Sequence, residues 1–122
     1  MKMQAKTEVT AVNDDLFDNM KVGAYLIWER VQGEGALNFW HCTEEIAGFL
    51  KCRSLFDLNS IKAVIKKDVF DVEYIDFVRN ISYRLYLYTH RNDAIVNWFD
   101  SEQLLRNDEW VSAVTRVAKE LQ

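Results

Sequence analysis

The sequence predicts an α+β fold, an N-terminal β-hairpin packed on four to five α-helices, with the C-terminal helices forming the main core. Three observations carry this. The stretches 22–31 and 37–42 are rich in β-forming residues and are separated by Gln32-Gly33-Glu34-Gly35, which supplies turn chemistry. From Thr43 onward the apolar residues recur at helical spacing instead. No proline interrupts that second region, because the chain has none.

The 122 residues fit one domain with a core of its own, and a 49% hydrophobic content excludes intrinsic disorder. Residues 1–20 read as a polar arm, acidic near its end, with Leu16 and Phe17 as a docking point. The domain proper is expected over 21–122. A lone hairpin is marginal in water, so one face of it must pack on the helices.

Thr43 is placed as an N-cap, with Glu44 and Glu45 in the first helical turn where the helix dipole favours negative charge. Ile46, Phe49 and Leu50 face inward, Gly48 costs that helix some stability, and it frays near 52–54. The next helix, 58–67, groups Leu58, Ile61 and Ile65 and ends on Lys66 and Lys67. Residues 68–72 connect it to a long helix over 73–90, whose stripe is Tyr74, Phe77, Val78, Ile81, Leu85 and Tyr88. Within it, 82–89 is rich in β-formers and would also pair with 94–99 across 90–93. Helix is preferred because the stripe runs through without a phase break. Asn92 and Asp93 form a bend and cap a helix over 94–105, with Ile95, Trp98, Phe99 and Leu105 in its pattern. Asn107 caps the last helix, whose stripe is Trp110, Val111, Val114, Val117, Ala118 and Leu121.

The run Ile81-Ser82-Tyr83-Arg84-Leu85-Tyr86, followed by Asn97-Trp98-Phe99-Asp100-Ser101-Glu102, resembles a small uncharacterised bacterial helical segment. That segment pairs an A-Y-x-L-Y-like helix with an N-W-x-x-A-E-like helix. The chain departs from it at Ser82 and Ser101, where the pattern has alanine. The resemblance implies helices there and a bacterial source, and it carries no activity.

Several function classes lose ground on the residues alone. The net charge of −4 disfavours nucleic acid and anionic membrane as partners. No apolar run reaches the roughly 18 residues that span a bilayer, and the N-terminus has no secretory h-region. With two Cys and no disulfide framework, a cytoplasmic protein with free thiols is expected. His41, Cys42, Cys52 and His90 lack the spacing of a zinc site, so no metal or other cofactor is expected. As strand neighbours His41 and Cys42 would point to opposite faces, which leaves no catalytic pair. Gly33-Glu34-Gly35 is a lone G-x-G that a turn explains.

Asp68, Asp71, Glu73 and Asp76 concentrate carboxylate in one short stretch without an EF-hand pattern. Solvated surface is the plain reading, and an acidic patch for a basic partner the functional one. Arg79, Arg84 and Arg91 beside Tyr83 and Tyr86 form a basic-aromatic strip of the kind that stacks on a base, or that packs internally. Four Trp, seven Phe and five Tyr exceed what a small core needs, so Trp28, Trp40, Trp98 and Trp110 are the candidate interface anchors. The expected function is therefore a small acidic, non-enzymatic, protein-binding module of regulatory or accessory type. Its candidate contacts are Asp68, Asp71, Glu73, Asp76 and Trp40, and its partner is another protein, a basic one or a second copy. The alternatives are an inhibitor or immunity protein that neutralises a basic toxin or nuclease, and a small-ligand-binding regulator.

Overall fold

Where strands were expected, the backbone is helical. A computed structural model describes residues 7–32 and 36–121, without the side chains of 7–14 and of Ala36, and places there six helices and no strand. They are α1 (Thr7–Val31), α2 (Ala36–Cys52), α3 (Leu58–Ile65), α4 (Val72–Thr89), α5 (Ala94–Leu105) and α6 (Asp108–Glu120). The expected hairpin is thus the second half of α1 and the first of α2, and the fold class is all-α rather than α+β. The expected turn at 33–35 lies outside the described residues.

The cause is tertiary. Met20, Ile27 and Val31 fall on one helical face and are all buried, as are Phe39 and Cys42 on α2. Propensity separates strand from helix by less than about 1 kcal/mol per residue. Burying one large apolar side chain yields about 1.5–3 kcal/mol, so the packing decides. Gly23 completes that face: it brings α1 against Thr43 of α2 and Val114 of α6.

Residues 7–20, expected to be an arm, continue α1 as helix. Leu16 packs on the core, Phe17 sits 4.8 Å from the Trp40 ring, and Asp15 pairs with Arg116 of α6 at 2.6 Å. Residues 1–6 lie outside the described residues. Thr43 is not a cap but an interior residue of α2, whose hydroxyl donates to the Phe39 carbonyl at 2.9 Å. The main core is not confined to the C-terminal helices either. Helix α2 packs on α1, α4 and α6 and supplies Phe39, Ile46, Ala47, Phe49 and Leu50.

The later elements follow the sequence closely. Helix α4 includes 82–89 and buries Tyr74, Phe77, Val78, Ile81 and Leu85. Asp57, Asp71, Asp93 and Asn107 each accept a backbone N–H at the start of α3, α4, α5 and α6. Helix α6 buries Trp110, Val111, Val114, Val117 and Ala118. None of the described helices is long and apolar enough to cross a membrane.

Candidate docking face on α4 and α5

Helix α5 packs with its polar side inward. Its buried residues are Asn97, Asp100, Ser101, Leu104 and Leu105, whereas Ile95 is 83% and Phe99 55% exposed and Trp98 is half-buried. Of the pattern Ile95, Trp98, Phe99 and Leu105, only Leu105 is fully buried, which corrects the expected inward stripe. The inversion is held by Arg91. Its Nε donates to Asn97 Oδ1 at 2.8 Å and its Nη2 to Asp100 Oδ2 at 2.8 Å. Asn97 Nδ2 returns a bond to the Arg91 carbonyl, and Ser101 Oγ donates to the Asn97 carbonyl. Charge-assisted bonds in a largely buried setting are strong, and they fix the rotation of α5 about its axis.

The outward apolar residues continue onto α4. Tyr83, Tyr86 and Trp98 line a groove of about 380 Å³ with Arg79 and Asn92, and Ile95, Trp98, Phe99 and Glu102 line a neighbouring one of about 460 Å³. Among the described residues no element covers this apolar face, and exposed apolar patches of this kind mark candidate interaction sites.

The four carboxylates singled out in the sequence stand at the start of α4. Asp68 accepts the Phe70 N–H at 2.8 Å, and Asp71 is the α4 N-cap, accepting from Glu73 and Tyr74. Glu73 pairs with Lys67 at 3.3 Å and Asp76 with Arg53 at 2.6 Å. Each therefore has a structural partner, yet both ion pairs are well exposed, where screening leaves such pairs worth at most about 1 kcal/mol. The connection also exposes Val69, Phe70 and Val72. It reaches the α5 face through Tyr74, whose hydroxyl donates to Glu102. Burial first, and the Glu102 carboxylate second, raise the Tyr74 pKa and keep it a donor.

Trp40 is elsewhere. Arg53, the partner of Asp76, follows the end of α2, and the rise from position 40 to position 53 is about 20 Å. Trp40 and the acidic stretch thus belong to different regions of the molecule. Trp28 is 44% exposed, Trp40 and Trp98 are half-buried, and Trp110 is fully buried.

Of the basic-aromatic strip only Arg79 shares a groove with Tyr83 and Tyr86, since Arg84 lies over the Phe49 ring at 5.0 Å and Arg91 is latched. His41 is exposed and pairs with Glu44 at 2.9 Å, while Cys42 is fully buried. Burial pushes the Cys42 thiol up to about 12, with Glu45 adding to the rise and Arg84 opposing it, so it is no nucleophile at neutral pH. Among the described residues no group of three or more His, Cys, Asp or Glu side chains could hold a metal ion.

Ile95 and Phe99 were missed as site residues because helical spacing alone does not say which face of a helix turns inward. The signal was the pattern Asn97, Asp100, Ser101 opposite Ile95 and Phe99, with Arg91 just before the helix. The chain matches no protein-family model, and no curated protein or solved structure resembles it significantly.

Proposed function

We propose that the chain is a non-enzymatic protein-binding module that docks another protein on the outward apolar face of α5, with the adjoining tyrosines of α4. The observation that supports it is the inverted packing of α5, which places three polar side chains inside and leaves Ile95 and Phe99 outside, with Trp98 half-buried beside them. Aromatic and aliphatic side chains held on a rigid element are what interface hot spots are made of. The partner is an apolar surface on a basic protein. Glu102 stands at the end of the face nearest the acidic connection, and the chain carries a net charge of −4. Arg106 stands beside Glu102, and Arg79 lines the groove on α4, so the whole-chain charge, rather than a local acidic field, steers the encounter. Trp40, the anchor first expected, is not part of this face. The two free cysteines, one of them exposed, suit a reducing compartment, which supports a cytoplasmic location as part of the proposal.

The test is capture from the native host with the wild type and the Ile95→Asp, Phe99→Gln double variant. Position 95 is in the first turn of α5, where an acidic residue suits the helix dipole, so the fold is retained. A binding protein held by the wild type, lost from the double variant and kept by Trp28→Leu supports the proposal. Equal recovery from wild type and double variant contradicts it. Sedimentation of the purified chain identifies the case in which the covering surface is a second copy.

A further inference from the structure

A second concave site lies at the opposite side of the sequence, where α1 meets the start of α2. Lys21, Ala24, Tyr25 and Trp28 recur at three- and four-residue spacing and so form one face of α1 about 10 Å long. Phe39 and Trp40 close it from α2, and the groove holds about 380 Å³, at the lower end of the range for small-molecule sites. Its walls are aromatic: Tyr25 and Trp28 stack with centroids 6.1 Å apart, and Phe17 lies against Trp40. Among the described residues Lys21 is the one charged residue lining it. Its ammonium stands 5.1 Å over the Phe17 ring, and among the described residues it has no carboxylate partner. Among the described residues Asp18, one turn before Lys21 on α1, forms no ion pair with it, and Glu29 accepts from the Tyr25 hydroxyl at 3.3 Å. Glu29 stands about 12 Å along the helix from Lys21, beyond the far end of the groove.

We infer that this groove binds a small planar aromatic carboxylate, with the ring between the aromatic walls and the anion on the Lys21 ammonium. Flat rings and one cation without a carboxylate partner among the described residues are complementary to that chemistry, and a groove of about 380 Å³ accommodates a fragment of this kind. The site is separate from the α5 face and stands whether or not that face docks a protein.

The experiment is calorimetric titration with indole-3-acetate, its uncharged counterpart indole-3-acetamide, and octanoate, an anion without a ring. Amide resonances followed in parallel report where each binds. Indole-3-acetate should bind about tenfold more tightly than the amide, the scale of one charge-assisted hydrogen bond. Lys21→Gln should erase that gap without weakening the amide, Lys21→Arg should keep it, and Trp28→Leu should weaken both indoles. Shifts should gather on α1 and the start of α2. The inference is overturned if indole-3-acetate does not saturate at about millimolar concentration, the affinity of a bare fragment contact. It is overturned equally if the gap survives Lys21→Gln or if octanoate binds as well.

Discussion

Gly23 sits where three helices meet, and adding one methyl group there tests the packing directly. A Cβ at position 23 would stand 2.8 Å from Thr43 Cγ2 and 3.3 Å from Val114 Cγ1, against an ordinary contact that begins near 3.4 Å. Thr43 cannot simply rotate away, because its hydroxyl is held by the Phe39 carbonyl and the residue is fully buried. Helix α1 must therefore move off α2 and α6 by several tenths of an ångström. Overpacking of this kind costs about 1–3 kcal/mol, and replacing an interior helical glycine by alanine returns about 1 kcal/mol. The net expectation for Gly23→Ala is a loss of up to about 2 kcal/mol. Gly48, in α2, is the internal control, since a Cβ there meets nothing within 4 Å. Gly48→Ala should gain about 0.5–1 kcal/mol. Urea unfolding followed by far-UV circular dichroism reads both, and Thr43→Ser, which removes Cγ2, should restore part of the Gly23→Ala loss. If Gly23→Ala stabilises as much as Gly48→Ala, α1 does not approach α2 as described.

Three further outcomes follow from single contacts. Asp71→Ala removes the N-cap of α4 and should cost about 1 kcal/mol in the same urea assay, so any steering test is better made at Glu73 than at Asp71. Asp100→Ala leaves the Arg91 guanidinium without its carboxylate and should cost about 2–4 kcal/mol, more than the cap; an equal or smaller loss would show that the latch does not hold α5. The Cys42 thiol is protonated in the folded chain up to about 12 and titrates near 9.0 once exposed, so its contribution is fully present below the lower value and is lost as pH rises between the two. A thiol reagent at neutral pH should accordingly modify Cys52 in the native chain and Cys42 only after unfolding, whereas equal rates would contradict the burial of Cys42.

The second half of the fold was legible because its signals were redundant. The stripe from Tyr74 to Leu85 and the caps Asp93 and Asn107 pointed to the same helices, and a strong stripe carried α6. The first third was not, because Val22, Tyr25, Ile27 and Trp28 favour strands locally while their actual conformation is set by contacts with residues far along the chain, such as Val114. Thr43 followed by two glutamates has the composition of a helix start, yet a threonine hydroxyl satisfies itself equally well on the carbonyl four residues back. At the candidate sites, Trp40 was visible as an aromatic without an obvious core role, but its neighbours on α1 were not, because a strand reading places them on alternating faces. The α5 face stayed hidden for a simpler reason: an apolar residue at helical spacing is read as core unless its polar neighbours are seen to have buried partners.

The central claim, that the outward face of α5 is a protein-docking surface, is tested most directly by site-specific photocrosslinking in the native host. A benzophenone side chain would replace Phe99 on α5, Phe70 in the acidic connection, or Phe17 beside the α1–α2 groove, all three being exposed. Position 99 should give one discrete product joining the chain to a different protein, and position 17 should give none. A product from position 70 or 17 with none from 99, or only a product of twice the chain's own mass, would contradict the claim.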